Sequence, residues 1–209
     1  MKTETRRQNL RDALIAAAER AIAANGLAGV KARDLAAEAG CAVGAIYNAV
    51  ADLDELVFAV NGRTLAALER SLDDAARPAR KKAASPAEAA TARLVHLAVA
   101  YLEFVAANTP RWRAVFEHRL PDGRAAPDWY VAEQSRLFTY IEAPLRDLQP
   151  ELAAGQHALA ARTLFSAVHG IVTLGLEEKL GVVPLAMLRA QIEIFVAALA
   201  GGLVATRSR

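Results

Sequence analysis

Apolar positions along the first quarter of the chain follow a helical period. Leu10, Leu14, Ala18 and Ile22 recur every four residues, one face of a helix over about 5–25. Thr5 and Gln8 have the spacing of a capping box at its start, and Asn25-Gly26 supplies the residue suited to a left-handed C-cap at its end. Two short helices follow, over about 32–39 and 43–49. On the first, Leu35, Ala36 and Ala39 face inward; Cys41, Ile46 and Ala49 do so on the turn and the second, with Gly40 at the bend. An alanine, a glycine four residues on and an aliphatic six beyond that is the pattern a helix-turn-helix needs, because its two helices cross steeply and closely. Any small helical hairpin shares part of it.

Beyond residue 50 prolines organise the chain. Pro86, Pro110, Pro127, Pro150 and Pro184 each precede a helix-like stretch, and proline at a first helical turn removes an N–H that has no partner there. Ser85 and Glu88 form a capping box, and Thr109 is placed to cap the helix that Pro110 opens. The remaining helices are expected over about 53–77, 86–108, 110–119, 127–148, 151–179 and 184–204. Pro144 should break or kink the seventh, and Pro121-Asp122-Gly123 reads as a loop. No alternating run of β-branched residues signals a strand. The prediction is an all-α protein of about nine helices: a three-helix module over 1–52, then a helical bundle over 53–209.

Composition narrows the picture. Hydrophobic residues make up 54% and charged residues 23% of the 209 residues, enough for a sizeable core. No uninterrupted apolar run of about 18 residues occurs, so no membrane span is expected, and the polar stretch Met1–Asn9 lacks the apolar centre of a signal peptide. The single cysteine, Cys41, has no internal partner, which fits a reducing cytoplasm; as a residue it reads as a small buried hydrophobe. The net charge of +2 does not announce nucleic-acid binding, so that function must rest on a motif and on local placement. The basic run Arg77, Arg80, Lys81, Lys82 reads as a solvated connection.

The stretch Val30 to Leu56 resembles the DNA-binding module of the TetR/AcrR family of transcriptional regulators. Arg33-Asp34-Leu35-Ala36, Ala39-Gly40-Cys41, Gly44-Ala45-Ile46-Tyr47 and Leu53-Asp54-Glu55-Leu56 carry the resemblance, in order and spacing. It implies a recognition helix over Val43–Ala49 in the major groove of double-stranded DNA. Tyr47 would donate to a phosphate, Asn48 to a base edge or a phosphate, and Ala42, Val43 and Ala45 would meet thymine methyls. Gly44 would allow close approach, Lys31 and Arg33 would contact phosphates, and Arg6 and Arg7 would form an N-terminal arm. Three positions depart from the family pattern: Lys31 stands where a capping Ser or Thr is common, Val50 where an aromatic is, and Leu53 where a phosphate-binding lysine often opens the fourth helix. With no Arg or Lys on the recognition helix, binding leans on fewer contacts or on DNA shape. Asp52 is expected to cap the fourth helix.

The last two helices carry apolar stripes: Leu185, Leu188, Ile192, Phe195, Leu199 and Leu203 on one, Leu152, Leu159, Leu164, Val168, Ile171 and Val172 on the other. In the family such helices pair across a two-fold, which implies a homodimer; the alternative is that the stripes only fill the monomer core, but both helices carry apolar residues beyond one face, which favours the dimer. Ser166 to Leu174 resembles the WHG-type C-terminal domain, with Val168 in place of its tryptophan. An effector pocket among helices five to eight would draw on His96, Tyr101, Phe104, Trp112, Phe116, Phe138, Phe165 and His169, and would suit a small, mostly apolar molecule; for each of these an ordinary core position is the stronger reading. The resemblance thus implies a cytoplasmic, ligand-released repressor of a near-palindromic operator, and the alternative is a helical small-molecule-binding or adaptor protein without DNA binding. Enzyme chemistry finds no foothold: there is no nucleophile set and no phosphate-binding glycine loop, and His96, His118, His157 and His169 have no metal-ligand spacing. Neither a metal nor a cofactor is expected.

Overall fold

The computed structural model describes residues 2–77, 85–178 and 181–207. Among them are nine α-helices and no strand: α1 (Lys2–Asn25), α2 (Ala32–Glu38), α3 (Val43–Ala49), α4 (Leu53–Ala76), α5 (Pro86–Ala107), α6 (Thr109–Glu117), α7 (Asp128–Leu148), α8 (Ala154–Leu176) and α9 (Leu185–Arg207). Short 3-10 turns occupy Gly26–Gly29 and Pro121–Gly123. The helices lie within a few residues of the sequence expectation, with informative exceptions. Residues 5–8 sit inside α1, where Gln8 bonds Asp12 instead of closing a capping box. Arg6 and Arg7 are therefore exposed residues of the first helical turns, not an extended arm. Asn108, not Thr109, takes the N-cap position of α6. The eighth helix starts at Ala154, after a turn in which the Ala153 amide donates to the Gln156 side chain at 2.9 Å. Helix α7 runs unbroken through Pro144. The proline lies in the last turns, where losing one N–H removes little of the ladder, and buried Leu145 and Leu148 hold those turns to the core. Of the basic run, Arg80, Lys81 and Lys82 lie outside the described residues.

The described chain forms two compact units. The first comprises Met1–Ala67 and Asn108–Glu133, so it takes in α6 and the first part of α4 in addition to the 1–52 module. The second comprises Leu68–Ala107 and Gln134–Arg209.

The core of the first unit is built on the predicted face of α1. Leu14, Ala18 and Ile22 meet Leu35 and Ala36 of α2, Ile46 and Ala49 of α3, Leu56 and Val60 of α4 and Ala114 of α6. Leu10, Cys41 and Leu53 pack partly buried against it. In the second unit α5 packs against α8 and α9, and α8 against α9. Leu188, Ile192, Val196 and Ala200, spaced by four, form the buried edge of α9, and Leu164, Val168 and Val172 are buried on α8. A Cβ on Gly175 would stand 2.8 Å from a Leu188 methyl, so the two helices approach where α8 has no side chain.

The absence of an uninterrupted apolar run did not capture every helix. By length and composition alone α5, α8 and residues 185–205 of α9 are apolar enough to cross a membrane, since scattered polar residues interrupt them without lowering their mean hydropathy much.

Gly40 adopts φ +68° and nothing lies within 4 Å of where its Cβ would stand. Gly40→Ala should therefore act through backbone strain alone, destabilising by about 1–2 kcal/mol. A shift of the urea midpoint at unchanged slope checks this.

Candidate nucleic-acid interface

A seven-residue helix such as α3 has no stability of its own; burial of one side holds it. Ile46 and Ala49 are buried. The turn before it is closed by the Cys41 amide donating to the Ala36 carbonyl at 2.9 Å, and Ala42 then takes an extended conformation (φ −73°, ψ 147°) that lets α3 restart in a new direction. The helix ends at Val50 (φ −135°, ψ 154°), which is itself buried. A core aliphatic thus fills the position where an aromatic is common.

With Ile46 and Ala49 inside, the 3.6-residue period turns Val43, Gly44, Tyr47 and Asn48 outward. Tyr47 is 54% exposed and Val43 42%; Ala42, Gly44 and Asn48 are exposed, and Ala45 is half-buried at the edge. Lys31 holds the N-cap position of α2 without a capping side-chain bond. It and Arg33 are exposed, and neither is ion-paired among the described residues. The other charged side chains here serve the scaffold: Arg20 pairs with Glu38, joining α1 to α2, and Glu19 receives both Arg63 at 3.0 Å and Arg111 at 2.9 Å.

The first turn of α4, which follows α3 directly, is fixed more heavily than the sequence indicates. Asp52 caps it as expected, accepting the Glu55 amide at 2.9 Å, and Glu55 accepts from the Ala51 amide at 2.8 Å. Arg11 of α1 reaches Glu55 at 3.0 Å. Arg124 lies 3.3 Å from Asp52 and 3.1 Å from Asp54, and His118 bonds Asp54 at 2.8 Å while its ring meets Phe58 edge-on. Except for His118, these groups, with Trp129, Pro127 and Leu120, surround a cavity of about 360 Å³ within the first unit. Sequence reasoning missed this network, because its partners stand 64 and 70 positions apart; the Asp52–Glu55 spacing was its one local signal.

Of the residues expected around an effector, four come together in the second unit. The Tyr101 hydroxyl and Nδ1 of His169 share a hydrogen bond of 2.6 Å, Phe165 stacks on the His169 ring, and Phe165 meets Tyr101 and Phe138 edge-on, each at 5.5 Å. The guanidinium of Arg162 covers Phe138. Phe104 is buried on α5, whereas His96 is exposed, and Trp112 and Phe116 pack on each other in the first unit. Burial lowers the pKa of His169 below its ordinary 6.5, so the ring is neutral at pH 7.

A small all-helical module with a solvent-facing second helix of a helix-turn-helix, followed by a second helical unit, is the architecture used by many DNA-binding transcriptional regulators. Two family profiles specify it further: "Bacterial regulatory proteins, tetR family" matches residues 14–60, and "Tetracyclin repressor-like, C-terminal domain" matches residues 94–199. The chain belongs to the TetR family. Solved structures with the same fold include a protein of unknown function from Rhodococcus sp. RHA1 (22% identity, TM-score 0.70, covering 90% of this chain and 93% of that one). A tetR-family transcriptional regulator from Streptomyces coelicolor is similar too (18%, 0.66, 95% and 88%), as is a TetR-family transcriptional regulator from Bordetella parapertussis 12822 (16%, 0.61, 90% and 94%). A search of curated proteins returned no match.

A depressed histidine pKa means that folding favours the neutral ring. That contribution is complete above about pH 6.5 and declines as the pH falls through the lowered value. Thermal midpoints recorded from pH 8 to 5 should fall on the acid side, and His169→Gln should flatten that part of the profile.

Proposed function

We propose that this regulator is a ligand-released repressor that binds a near-palindromic operator as a homodimer in the cytoplasm. The observation that carries the DNA reading is the outward face of α3, on which Val43, Gly44, Tyr47 and Asn48 stand free of the core, with Lys31 and Arg33 exposed at the start of α2. In the bound state α3 lies in the major groove. Tyr47 donates to a phosphate, Lys31 and Arg33 neutralise neighbouring phosphates, and Ala42, Val43, Gly44, Ala45 and Asn48 approach the base edges. Few cations take part, so the salt dependence of binding is shallow.

The dimer reading is supported by α8 and α9. Leu159 is 66% exposed, Met187 59% and Ile194 62%, on helices that already bury another face inside their unit. A two-fold axis through them presents two α3 helices to successive major grooves, about 34–36 Å apart. The effector reading rests on the Tyr101, Phe138, Phe165 and His169 cluster, a mostly apolar surface with one polar pair to orient a ligand. An effector releases DNA only through unequal affinity for the two states of the regulator.

An electrophoretic shift on the DNA upstream of its own gene, against a scrambled duplex, tests the central reading. Tyr47→Phe should weaken both specific and non-specific binding alike by about 1 kcal/mol, the size of one hydrogen bond; loss of specific binding alone would assign Tyr47 to a base instead. Met187→Glu with Ile194→Glu should give a folded monomer by light scattering that no longer occupies a two-half-site operator; a variant that stays dimeric would place the interface elsewhere.

A further inference from the structure

The outward face of α3 also restricts which base pairs it can read. In the major groove a guanine offers two acceptors, O6 and N7, and is selected by the paired donors of Arg or Lys; a cytosine offers an amino donor and is selected by Glu or Asp. The groups that α3 turns to solvent are the Ala42 methyl, the Val43 isopropyl, the bare backbone of Gly44, the Tyr47 phenol and the Asn48 amide. None is a cation and none is a carboxylate. Lys31 and Arg33, both exposed, stand at the start of α2 and not on α3, and Glu38 is engaged by Arg20. By contrast, a primary amide at the end of a short side chain matches adenine, accepting from N6 and donating to N7, and an aliphatic surface matches the thymine methyl. Both chemistries lie on one strip: Val43 and Tyr47 are one turn apart, and so are Gly44 and Asn48. Nothing lies within 4 Å of a Cβ position on Gly44, so the strip is open at its centre and its backbone can come close to the groove floor.

We infer that the base pairs facing α3 in each half-site are A·T pairs, with thymine methyls against Val43 and Ala42 and an adenine edge on Asn48. The inference rests on the proposal that α3 enters the major groove. It adds the chemical class of the bases read there, which the shared fold leaves open.

The test uses the 209-residue protein and a duplex library randomised over about 24 base pairs, roughly two turns of the helix. A·T pairs should be enriched at the positions that α3 covers, located by protection from methylation and by hydroxyl-radical footprinting. The best duplex is then remade with uracil for thymine at those positions, which removes only methyl groups. The wild type should lose about fourfold in affinity per contacted methyl, and Val43→Ala should lose less on the same change. Asn48→Ala should lose roughly five- to 150-fold on the selected site and become indifferent to 7-deazaadenine there, while the wild type remains sensitive to it. Enrichment of G·C pairs under α3, or no preference at those positions in a library that is nonetheless bound, would overturn the inference and leave the operator reading intact. Equal affinity of the wild type for thymine and uracil duplexes would overturn it too. A protein that binds no member of the library would defeat the operator reading itself, and this inference with it.

Discussion

The burial of Ile46 is the contact on which the DNA-facing surface depends. A helix of seven residues is marginal in water, and α3 carries no side-chain cap. It persists because Ile46 and Ala49 complete a core that α1 presents through Leu14, Ala18 and Ile22 and α2 through Leu35 and Ala36. Ala36 must be small for the helices to cross, and Gly40 must occupy the left-handed region for the chain to turn between them. Once those conditions hold, the outward set follows from geometry: no choice of rotamer brings Tyr47 inside while Ile46 is inside. The reading face is a by-product of a packing solution, which is why a weakly charged module can be recognised as one for DNA.

Departures from the family pattern have a common physical sense. Where Leu53 replaces a lysine and Val50 an aromatic, the chain gives apolar contact to its own core in place of reach toward a partner. The start of α4 is then held by charge: the Asp52 cap, the Arg11–Glu55 pair and the Arg124 and His118 contacts to Asp54. Each exposed pair is worth well under 1 kcal/mol, but carboxylates at a helix start also oppose the positive end of the helix dipole, so the cluster adds to the cap. Since α3 and α4 are separated by three residues, fixing the first turn of α4 also fixes the end of α3. Residues of α4 belong to both compact units, as do those of α7, so each of these helices runs from one unit into the other.

The fold was legible to the extent that its signals were local. Helix limits set by proline, by Gly26 and Gly40 and by the Ser85–Glu88 and Asp52–Glu55 spacings were recovered within a few residues, because each depends on backbone bonds spanning three or four positions. The Thr5–Gln8 pair had the right spacing but lay inside α1, since nothing local said that the preceding residues would also be helical. The outward face of α3 was readable from periodicity combined with the family resemblance. The aromatic candidates were less so: composition grouped Trp112 and Phe116 with Tyr101, Phe165 and His169, yet they pack in different units, and His96 faces out. Which aromatic meets which is decided by tertiary packing, and no spacing along the chain encodes it. The His118–Asp54–Arg124 contacts were invisible for the same reason.

The apolar excess of α8 and α9 admits two physical environments, lipid or a second protein surface. A helix that is apolar on more than one side must bury more than one side, and α9 already uses Leu188, Ile192, Val196 and Ala200 within its unit while Leu185, Met187 and Ile194 remain outside. Charge placement separates the two environments. Arg189, in the middle of that exposed set, pairs with Glu193 at 3.1 Å and with Glu103 of α5 at 2.8 Å, and all three are about half exposed. In a bilayer these groups would lose their water, at several kcal/mol. At the rim of a protein interface they keep it while the neighbouring methyls are covered. The charges on α9 and on the neighbouring stretch of α5 therefore lie where a second protein surface tolerates them and lipid does not.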